Sequence, residues 1–201
     1  TAGAARIGRI TRTLLGGPAV KADILLHGSF AKTYKGHGTD KALIAGIMGM
    51  ATDDVRIRQA PELAKQAGLD VHISTGDIGG AHPNTAKVTL TDAKGRQVSL
   101  LGSSIGGGNI LVTEVNGMEV SLTGQYATLI VLHKDAPGTI AAVTEVMAEE
   151  GINICNFRLS RQKKGGEAVM TIELDGKPSP EINKKINTLP NIYSSTMLQP
   201  I

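Results

Sequence analysis

The segment from His27 to Asp40 concentrates side chains that could transfer protons or bind anions. Those that draw attention are Ser29, Lys35, His37, Thr39 and Asp40. Gly36 and Gly38 flank His37, so we expect a tight loop that leaves its imidazole accessible. Imidazole titrates near neutral pH and suits general acid–base catalysis. Such a loop could instead bind a phosphate or carboxylate through lysines and backbone N–H groups, although it lacks the Gly-x4-Gly-Lys-Ser/Thr order of a Walker loop.

Two further segments combine polar side chains with glycine at predicted strand ends. Residues 79–85 place His82 and Asn84 in a loop before a strand. Residues 103–109 contain Ser104 and then Gly106, Gly107 and Gly108, whose backbone N–H groups could line a concave anion site. A single glycine triplet is weak evidence. Three such segments in one part of the chain indicate a shared site.

The elements that position these segments follow from periodicity and turn residues. Residues 1–124 contain 20 of the 25 glycines and mix helices with short strands. Helices are predicted over 2–15, 40–50 and 61–67, with Thr39 or Asp40 as the cap of the second. Strands are predicted over 23–26, 71–75, 86–91, 97–101, 110–115 and 118–122. Turns are predicted at 92–95 and at Asn116-Gly117, the strongest hairpin signal in the chain.

Residues 125–201 have a different and more regular order of elements. Strands are predicted over 127–133, 152–160, 167–174 and 192–198, and helices over 138–150 and 180–187. This β-α-β-β-α-β order is the split βαβ pattern of ferredoxin-like folds. We therefore predict an α+β protein, with an α/β domain over residues 1–124 and a ferredoxin-like domain over residues 125–201.

Composition excludes several classes of function. The net charge is only +3, and five Tyr and Phe residues with no Trp offer few platforms for stacking bases, so we expect no nucleic acid partner. No apolar stretch is long enough for a membrane span, so no membrane contact is expected either. One cysteine, Cys155, can form neither an internal disulfide nor a self-contained Cys₃ or Cys₄ metal site. It favours a reducing compartment, here the cytoplasm, and we expect a buried thiol.

Residues 133–140, the helix after them and Gly151–Asn156 resemble an ACT domain. ACT domains are regulatory modules that pair with one another and often bind amino acids at the interface. Similarity to the serine-sensing ACT domains of 3-phosphoglycerate dehydrogenases implies an effector site and a homo-oligomer. The matching positions are His133, Asp135, Gly138 and Asn153. Asp135 replaces an asparagine, and its carboxylate attracts an ammonium group but repels a carboxylate. Asp135 and Asn153 could equally be ordinary cap and turn residues.

Four motifs resemble the beta-chain family of bacterial iron–sulfur L-serine dehydratases. They are Thr1-Ala-Gly-Ala-Ala-Arg-Ile-Gly-Arg, the segment His27–Asp40, His82-Pro-Asn-Thr-Ala-Lys and Ser104-Ile-Gly-Gly-Gly. The ACT-like module follows them as in the two-chain form of that enzyme. In the family a Ser-Ser-Ser-His segment directly precedes the position of Thr1, so we expect an N-terminal piece to be missing here.

This resemblance implies that L-serine is converted to pyruvate and ammonia at a site shared with an alpha chain. The family uses a 4Fe–4S cluster with one open iron as a Lewis acid. Cysteine thiolates ligate such clusters, so the cluster is expected on the alpha chain rather than on this one. By resemblance His37 is the α-proton base, and His82 assists by proton transfer or carboxylate contact. Ser104 with Gly106, Gly107 and Gly108 would bind the substrate carboxylate. Second-rank candidates are Ser29, Lys35, Thr39, Asp40 and Asn84.

Two alternative functions stay open at this point. The N-terminal part also resembles the allosteric domain of some 3-phosphoglycerate dehydrogenases, which binds anions without chemistry. Such an amino-acid sensor would need the loop glycines and lysines but not His37 together with His82. The other alternative is a purely structural subunit that stabilises an alpha chain.

Overall fold

The computed structural model describes residues 1–200. The described residues form two compact units, one from Thr1 to Asn116 and one that begins at Gly117. Mixed helices and two sheets make it an α+β protein, as predicted. The domain boundary between residues 124 and 125 stays a prediction. Among residues 1–200, no helix combines the length and the apolar character that crossing a membrane requires.

The first unit packs helices on a mostly antiparallel sheet. Its helices are α1 (Ala2–Leu15), α2 (Gly28–His37), α3 (Thr39–Ile47), a 3₁₀ helix (Val55–Gln59) and α4 (Ala60–Gln66). Its strands are β1 (Lys21–Leu26), β2 (Asp70–Thr75), β3 (Thr85–Thr91), β4 (Gln97–Gly106) and β5 (Asn109–Val115). Their order is β2-β1-β3-β4-β5, where β2 runs parallel to β1 and every other neighbouring pair is antiparallel. This order places the ends of β1 and β4 on either side of the start of β3.

Helix α1 has the bounds that its apolar periodicity predicts. Ile7, Ile10 and Leu14 recur at spacings of three and four, and all three are buried. Gly16, at φ +85°, ends the helix, and its N–H donates to the carbonyls of Arg12 and Thr13. Local sequence signals are therefore sufficient for this element.

Glycines bring α1 unusually close to α3. A Cβ built on Gly46 of α3 would lie 2.0 Å from the Ala5 carbonyl oxygen, and one built on Gly8 of α1 would lie 2.4 Å from the Leu43 carbonyl oxygen. Side chains normally separate helix axes by 8–10 Å. Here the two helix backbones touch at Gly8 and at Gly46, so this close crossing requires that both residues lack a side chain.

The prediction of a loop from His27 to Asp40 is wrong, because residues 28–37 form α2. The glycines lie at its two ends, and residues 29–35 contain no helix breaker. Phe30 is its one buried residue, so α2 has no apolar periodicity that a sequence pattern could reveal. Thr39 and Asp40 lie inside α3, whose N-cap is Gly38 without a side-chain cap bond, so the predicted cap is also wrong.

Both predicted turns, at 92–95 and at Asn116-Gly117, are present. The turn at 92–95 is present, with the Gly95 N–H donating to the Asp92 carbonyl oxygen. Asn116 and Gly117 have φ values of +50° and +77°, which is the backbone of a two-residue hairpin turn, as predicted. Strand β4 extends to Gly106 and therefore includes Ser104, which was predicted to lie in a loop.

The second unit has the predicted ferredoxin-like topology. After β6 (Met118–Leu122), its elements are β7 (Ala127–Lys134), α5 (Thr139–Glu149), β8 (Ile154–Arg161), β9 (Glu167–Leu174), α6 (Glu181–Asn187) and β10 (Ile192–Leu198). The sheet order is β10-β7-β9-β8 and all pairs are antiparallel. Leu129, Val131 and Met170 belong to the core on the helical face.

Cys155 is exposed, so the prediction of a buried thiol is wrong. It lies on β8, an edge strand of the second sheet, where most side chains face solvent. Partial desolvation of the thiol and the nearby carboxylates of Asp175 and Glu173 raise the pKa of Cys155.

Candidate functional site

The end of β1 and the loop before β3 are joined by close backbone contacts. The His27 N–H donates to the Thr85 carbonyl at 3.0 Å, and the Phe30 N–H donates to the Pro83 carbonyl at 3.4 Å. Gly28 has φ +59°, and a Cβ there would lie 2.5 Å from the Pro83 carbonyl oxygen. The N-terminus of α2 is thus held against the loop that carries His82 and Asn84.

His27 has a structural position at this junction. Its Nδ1 accepts a hydrogen bond from the Ile78 N–H at 3.0 Å. The carboxylate of Asp77 lies 3.3 Å from the same nitrogen. His27 therefore ties the loop after β2 to the end of β1.

His82, Asn84 and Ser104 form one connected group. The Asn84 N–H donates to His82 Nδ1 at 3.1 Å, and the Ser104 N–H donates to the Asn84 carbonyl at 2.9 Å. Below them, the buried hydroxyl of Thr85 lies 2.7 Å from that of Ser103. Since Nδ1 of His82 accepts, its neutral ring carries the proton on Nε2, and the side chain is exposed.

The glycine triplet after Ser104 forms the hairpin turn between β4 and β5. Gly106 pairs with Asn109, which leaves Gly107 and Gly108 as a two-residue turn. The three glycines have φ values of +99°, +60° and +81°. Such φ values are accessible to glycine at little cost and are strained for other residues. The turn therefore explains the need for glycine and also exposes backbone groups beside Ser104.

His37 lies at the other end of α2, as its last residue, and is exposed. It lines an open cleft of about 700 Å³ together with Thr1, Lys41, Asp54 and Arg58. The Arg56 guanidinium contacts both oxygens of Asp54, at 3.0 and 2.7 Å, and lowers the pKa of that carboxyl to about 2. Within residues 1–200, Lys41 and Arg58 have no carboxylate at ion-pair distance, so the cleft favours an anion.

The remaining candidates of the first unit occupy less direct positions. Ser29 is exposed in the first turn of α2, and Lys35 is exposed with its Nζ 5.8 Å from the Tyr34 ring centroid. Thr39 is only 4% exposed, so it can support the cleft but offers little surface to a ligand. Asp40 accepts a hydrogen bond from the adjacent Lys41 N–H at 2.8 Å.

The first turn of α1 lies between the His37 cleft and the Ser104 group. Along α2, Gly28 and His37 are about 13 Å apart, so these two groups do not touch directly. Thr1 lines the His37 cleft, and a Cβ built on Gly3 would lie 2.3 Å from the Ser104 hydroxyl oxygen. Thr1 and Gly3 are about 5 Å apart by helical geometry. No acidic residue occupies this turn.

In the second unit, His133 and Asp135 lie at the end of β7. His133 is 2% exposed; its Nδ1 lies 2.8 Å from the Lys134 carbonyl, and its Nε2 is buried without a hydrogen-bond partner among residues 1–200. Asp135 accepts from the Gly165 N–H at 3.0 Å and from Arg161 at 2.8 Å. These two donors, the Gly165 amide first, lower the pKa of the Asp135 carboxyl.

Gly138 and Asn153 are the other two residues of the predicted effector set. Within one chain only Gly138 lies near Asp135. Gly138, at φ +84°, precedes α5 close to Asp135 in sequence. Asn153 precedes β8 and donates to Asp175 at 2.7 Å. Because Ala127 of β7 pairs with Leu174, Asn153 lies at the opposite end of the sheet from Asp135, about 25 Å away.

Four residues at these sites were not among the candidates that the sequence indicates. Thr1, Lys41 and Arg58 line the His37 cleft, and Arg161 binds Asp135. A further residue, Arg6, donates from α1 to the Gly108 carbonyl at 2.6 Å. Arg6 was detectable in principle, since it is a basic residue one turn after the Thr1-Ala-Gly motif with no acidic residue near it on the helix. The other residues depend on tertiary contacts.

Family models match both parts of the chain. The model described as "Serine dehydratase beta chain" matches residues 2–78, and the one described as "ACT domain" matches residues 127–191. Both resemblances drawn from the sequence motifs are thereby confirmed.

Relatives match over nearly the whole length. The "Probable L-serine dehydratase, beta chain" of Bacillus subtilis (strain 168) is 44% identical over 198 residues, which are 98% of this chain and 90% of that protein. The "L-serine dehydratase, beta chain" of Peptoniphilus asaccharolyticus is 36% identical, over 90% of this chain and 82% of that protein. The "D-3-phosphoglycerate dehydrogenase" of Methanocaldococcus jannaschii is 29% identical over 92% of this chain but only 35% of that enzyme.

Proposed function

The chain belongs to the beta-chain family of L-serine dehydratases, and from that premise we propose that it completes, with an alpha chain, the site that converts L-serine to pyruvate and ammonia. The observation that carries this proposal is the position of the first turn of α1. Thr1 lines the cleft of His37, and Gly3 contacts Ser104. Motifs that are far apart in the sequence thus meet at the first turn of α1.

His37 is the proton acceptor in this proposal. The reaction removes the α-proton and the β-hydroxyl group of L-serine, and the resulting enamine hydrolyses to pyruvate and ammonia. The base must therefore be an exposed side chain that can reach the proton on the α-carbon of the bound substrate. The imidazole of His37 is exposed beside Lys41 and Arg58, whose positive charges favour the approach of a carboxylate-bearing substrate.

The Ser104 group holds the substrate carboxylate. The Ser104 hydroxyl and the N–H groups of the glycine turn after it are the hydrogen-bond donors of this group. His82 presents its Nε2 proton as a further donor or as a proton for the leaving group. The Asn84 N–H orients the His82 ring and the Lys41 N–H holds the Asp40 carboxylate, whereas Ser29, Lys35 and Thr39 contribute to the surroundings.

A 4Fe–4S cluster does not fit the residues of this chain. Cysteine thiolates ligate such clusters, and the one cysteine is an exposed residue of the second unit. Within residues 1–200, no group of three or more His, Cys, Asp and Glu side chains is arranged to hold a metal ion. We therefore propose that the alpha chain holds the cluster. A single unpaired thiol fits the reducing cytoplasm.

Co-expression with an alpha chain tests this function. We expect anaerobically purified complex to form pyruvate from L-serine, and each chain alone to form none, because each supplies only part of the site. Pyruvate is measured by its reduction with lactate dehydrogenase and NADH. A stable complex that shows the cluster's absorbance but forms no pyruvate would contradict the proposal, and so would full turnover by the alpha chain alone.

The ACT domain adds a second proposed function, the binding of an amino-acid effector between two copies of the chain. β8 is an edge strand, and two-fold antiparallel pairing of two β8 strands would bring Asn153 of one copy to the Asp135 end of the other. Arg161 there supplies the cation for an effector carboxylate, and Asp135 accepts from its ammonium group. The unpartnered Nε2 of His133 is the observation that favours a ligand at this end of β7.

Thermal unfolding of the chain alone tests the effector site. We expect L-serine to raise the melting temperature, with a stabilisation of about 1.4 kcal/mol at ten times Kd. Asp135→Ala and Asn153→Ala are each expected to abolish the increase, and His37→Ala is expected to keep it. Loss of the increase in His37→Ala alone would instead place serine in the first unit, and no increase in any variant would exclude L-serine as the effector.

A further inference from the structure

Arg6 connects α1 to the glycine turn beside Ser104. Its Nη1 donates to the Gly108 carbonyl oxygen at 2.6 Å, across more than a hundred residues of sequence. Its Nε is buried and has no hydrogen-bond partner among residues 1–200. Among residues 1–200, no carboxylate lies within ion-pair distance of Arg6. Arg6 is half-buried, its charge has no carboxylate beside it, and one of its donors has no partner.

Helix α1 supplies the nearest neighbours of Gly108, the turn residue that Arg6 contacts. Gly106 and Gly107 are exposed, and their positive φ values permit more backbone conformations than any other residue type would allow. Around Gly108, the nearest atoms to a built Cβ belong to Arg6, at 3.5 Å, and to Ala2, at 3.6 Å. Contacts from the first two turns of α1 therefore add to the β4–β5 pairing in fixing this turn.

We infer that Arg6 is a positioning residue for carboxylate binding. Its hydrogen bond holds the Gly106–Gly108 turn in the conformation that faces Ser104, and its positive charge favours a carboxylate on that surface. The inference rests on the proposed function, because it takes the serine carboxylate as the ligand of this turn. The hydrogen bond to Gly108 occupies only one of the five N–H donors of the guanidinium.

A positioning role predicts a specific kinetic signature. The carboxylate is bound equally in the substrate and in the transition state, because it is not the reacting group. Loss of such binding raises KM and leaves kcat unchanged. A purely structural role would instead lower the amount of folded protein, or lower kcat and stability together.

Arg12 is a matched control on the same helix. Its Nη1 donates to the Ile47 carbonyl at 3.1 Å, so it also joins α1 to a backbone carbonyl, but away from the glycine turn. We compare Arg6→Gln, Arg6→Lys and Arg12→Gln in the complex with the alpha chain. The measurements are KM and kcat for L-serine, and the melting temperature of each variant.

We expect KM to rise roughly 100-fold in Arg6→Gln and roughly 10-fold in Arg6→Lys, which keeps the charge and one donor, with kcat within about threefold of wild type. Arg12→Gln should leave both constants within about twofold. Guanidinium ion at millimolar concentration should lower the KM of Arg6→Gln but not of Arg12→Gln.

Three results would overturn the inference. One is an unchanged KM in both Arg6 variants, and another is a KM increase of the same size in Arg12→Gln. The third is failure of both Arg6 variants to fold while Arg12→Gln folds, since Arg6 would then be structural. Failure of the proposed function is distinguishable, because the wild-type complex itself would then form no pyruvate.

Discussion

Replacing His37 by alanine is expected to lower kcat of the two-chain complex for L-serine by about 10²- to 10⁴-fold, the usual contribution of a general base. KM should change little, because the ring acts on the α-proton rather than on the carboxylate. His37 is exposed at the C-terminal end of α2, and it has few packing contacts to lose. Pyruvate formation by the anaerobic complex measures the effect.

The matched control for this substitution is His72→Ala. His72 is an equally exposed histidine of the first unit, and its Nε2 lies 2.9 Å from the Asp70 carboxylate on β2. We expect this variant to keep kcat within about twofold, because it lies outside the cleft of Thr1 and Lys41. Both variants should assemble with the alpha chain and show the same cluster absorbance. Full activity in His37→Ala would place the base elsewhere, and His82 would then be the next residue to replace.

Introducing a single methyl group at Gly46 is expected to destabilise the first unit by at least about 2 kcal/mol. The Cβ of Gly46→Ala would lie 2.0 Å from the Ala5 carbonyl oxygen and 2.8 Å from the Arg9 nitrogen, and both are backbone atoms of α1. No rotamer change can relieve this overlap, so α1 must move away from α3. Because α1 also carries Thr1 and Gly3, the same change should disturb both halves of the proposed site.

Gly36→Ala is the matched control for Gly46→Ala. Gly36 is also a helical glycine, but a Cβ built there meets nothing within 4 Å. Alanine should stabilise α2 by about 0.5–1 kcal/mol, because it restricts the unfolded chain and favours the helix. Urea unfolding of wild type, Gly46→Ala and Gly36→Ala measures the free energy of unfolding of each protein. Equal stability of Gly46→Ala and wild type would show that the α1–α3 crossing is looser than the structure indicates.

Local sequence signals were sufficient wherever an element depends on its own residues. The apolar spacing and the terminal glycine of α1 predicted its bounds, and alternation with turn residues predicted the ferredoxin-like order of β7 to β10. The Asn116-Gly117 turn needs only two residues that tolerate positive φ. Short-range patterns failed at α2, whose single buried residue gives no period to detect, and at Cys155, because nothing local indicates that β8 lies at an edge.

The sequence by itself determined the family, the residue types available for chemistry and most element bounds, because each of these depends on motifs or on neighbours a few residues apart. Only the tertiary structure decided which candidates share a surface. It placed Gly3 against Ser104, Arg6 on Gly108 and Thr1 beside His37, and it put Asn153 at the far end of the sheet from Asp135. The physical reason is that these contacts depend on how closely two backbones approach and on strand register, and neither is encoded in a local pattern.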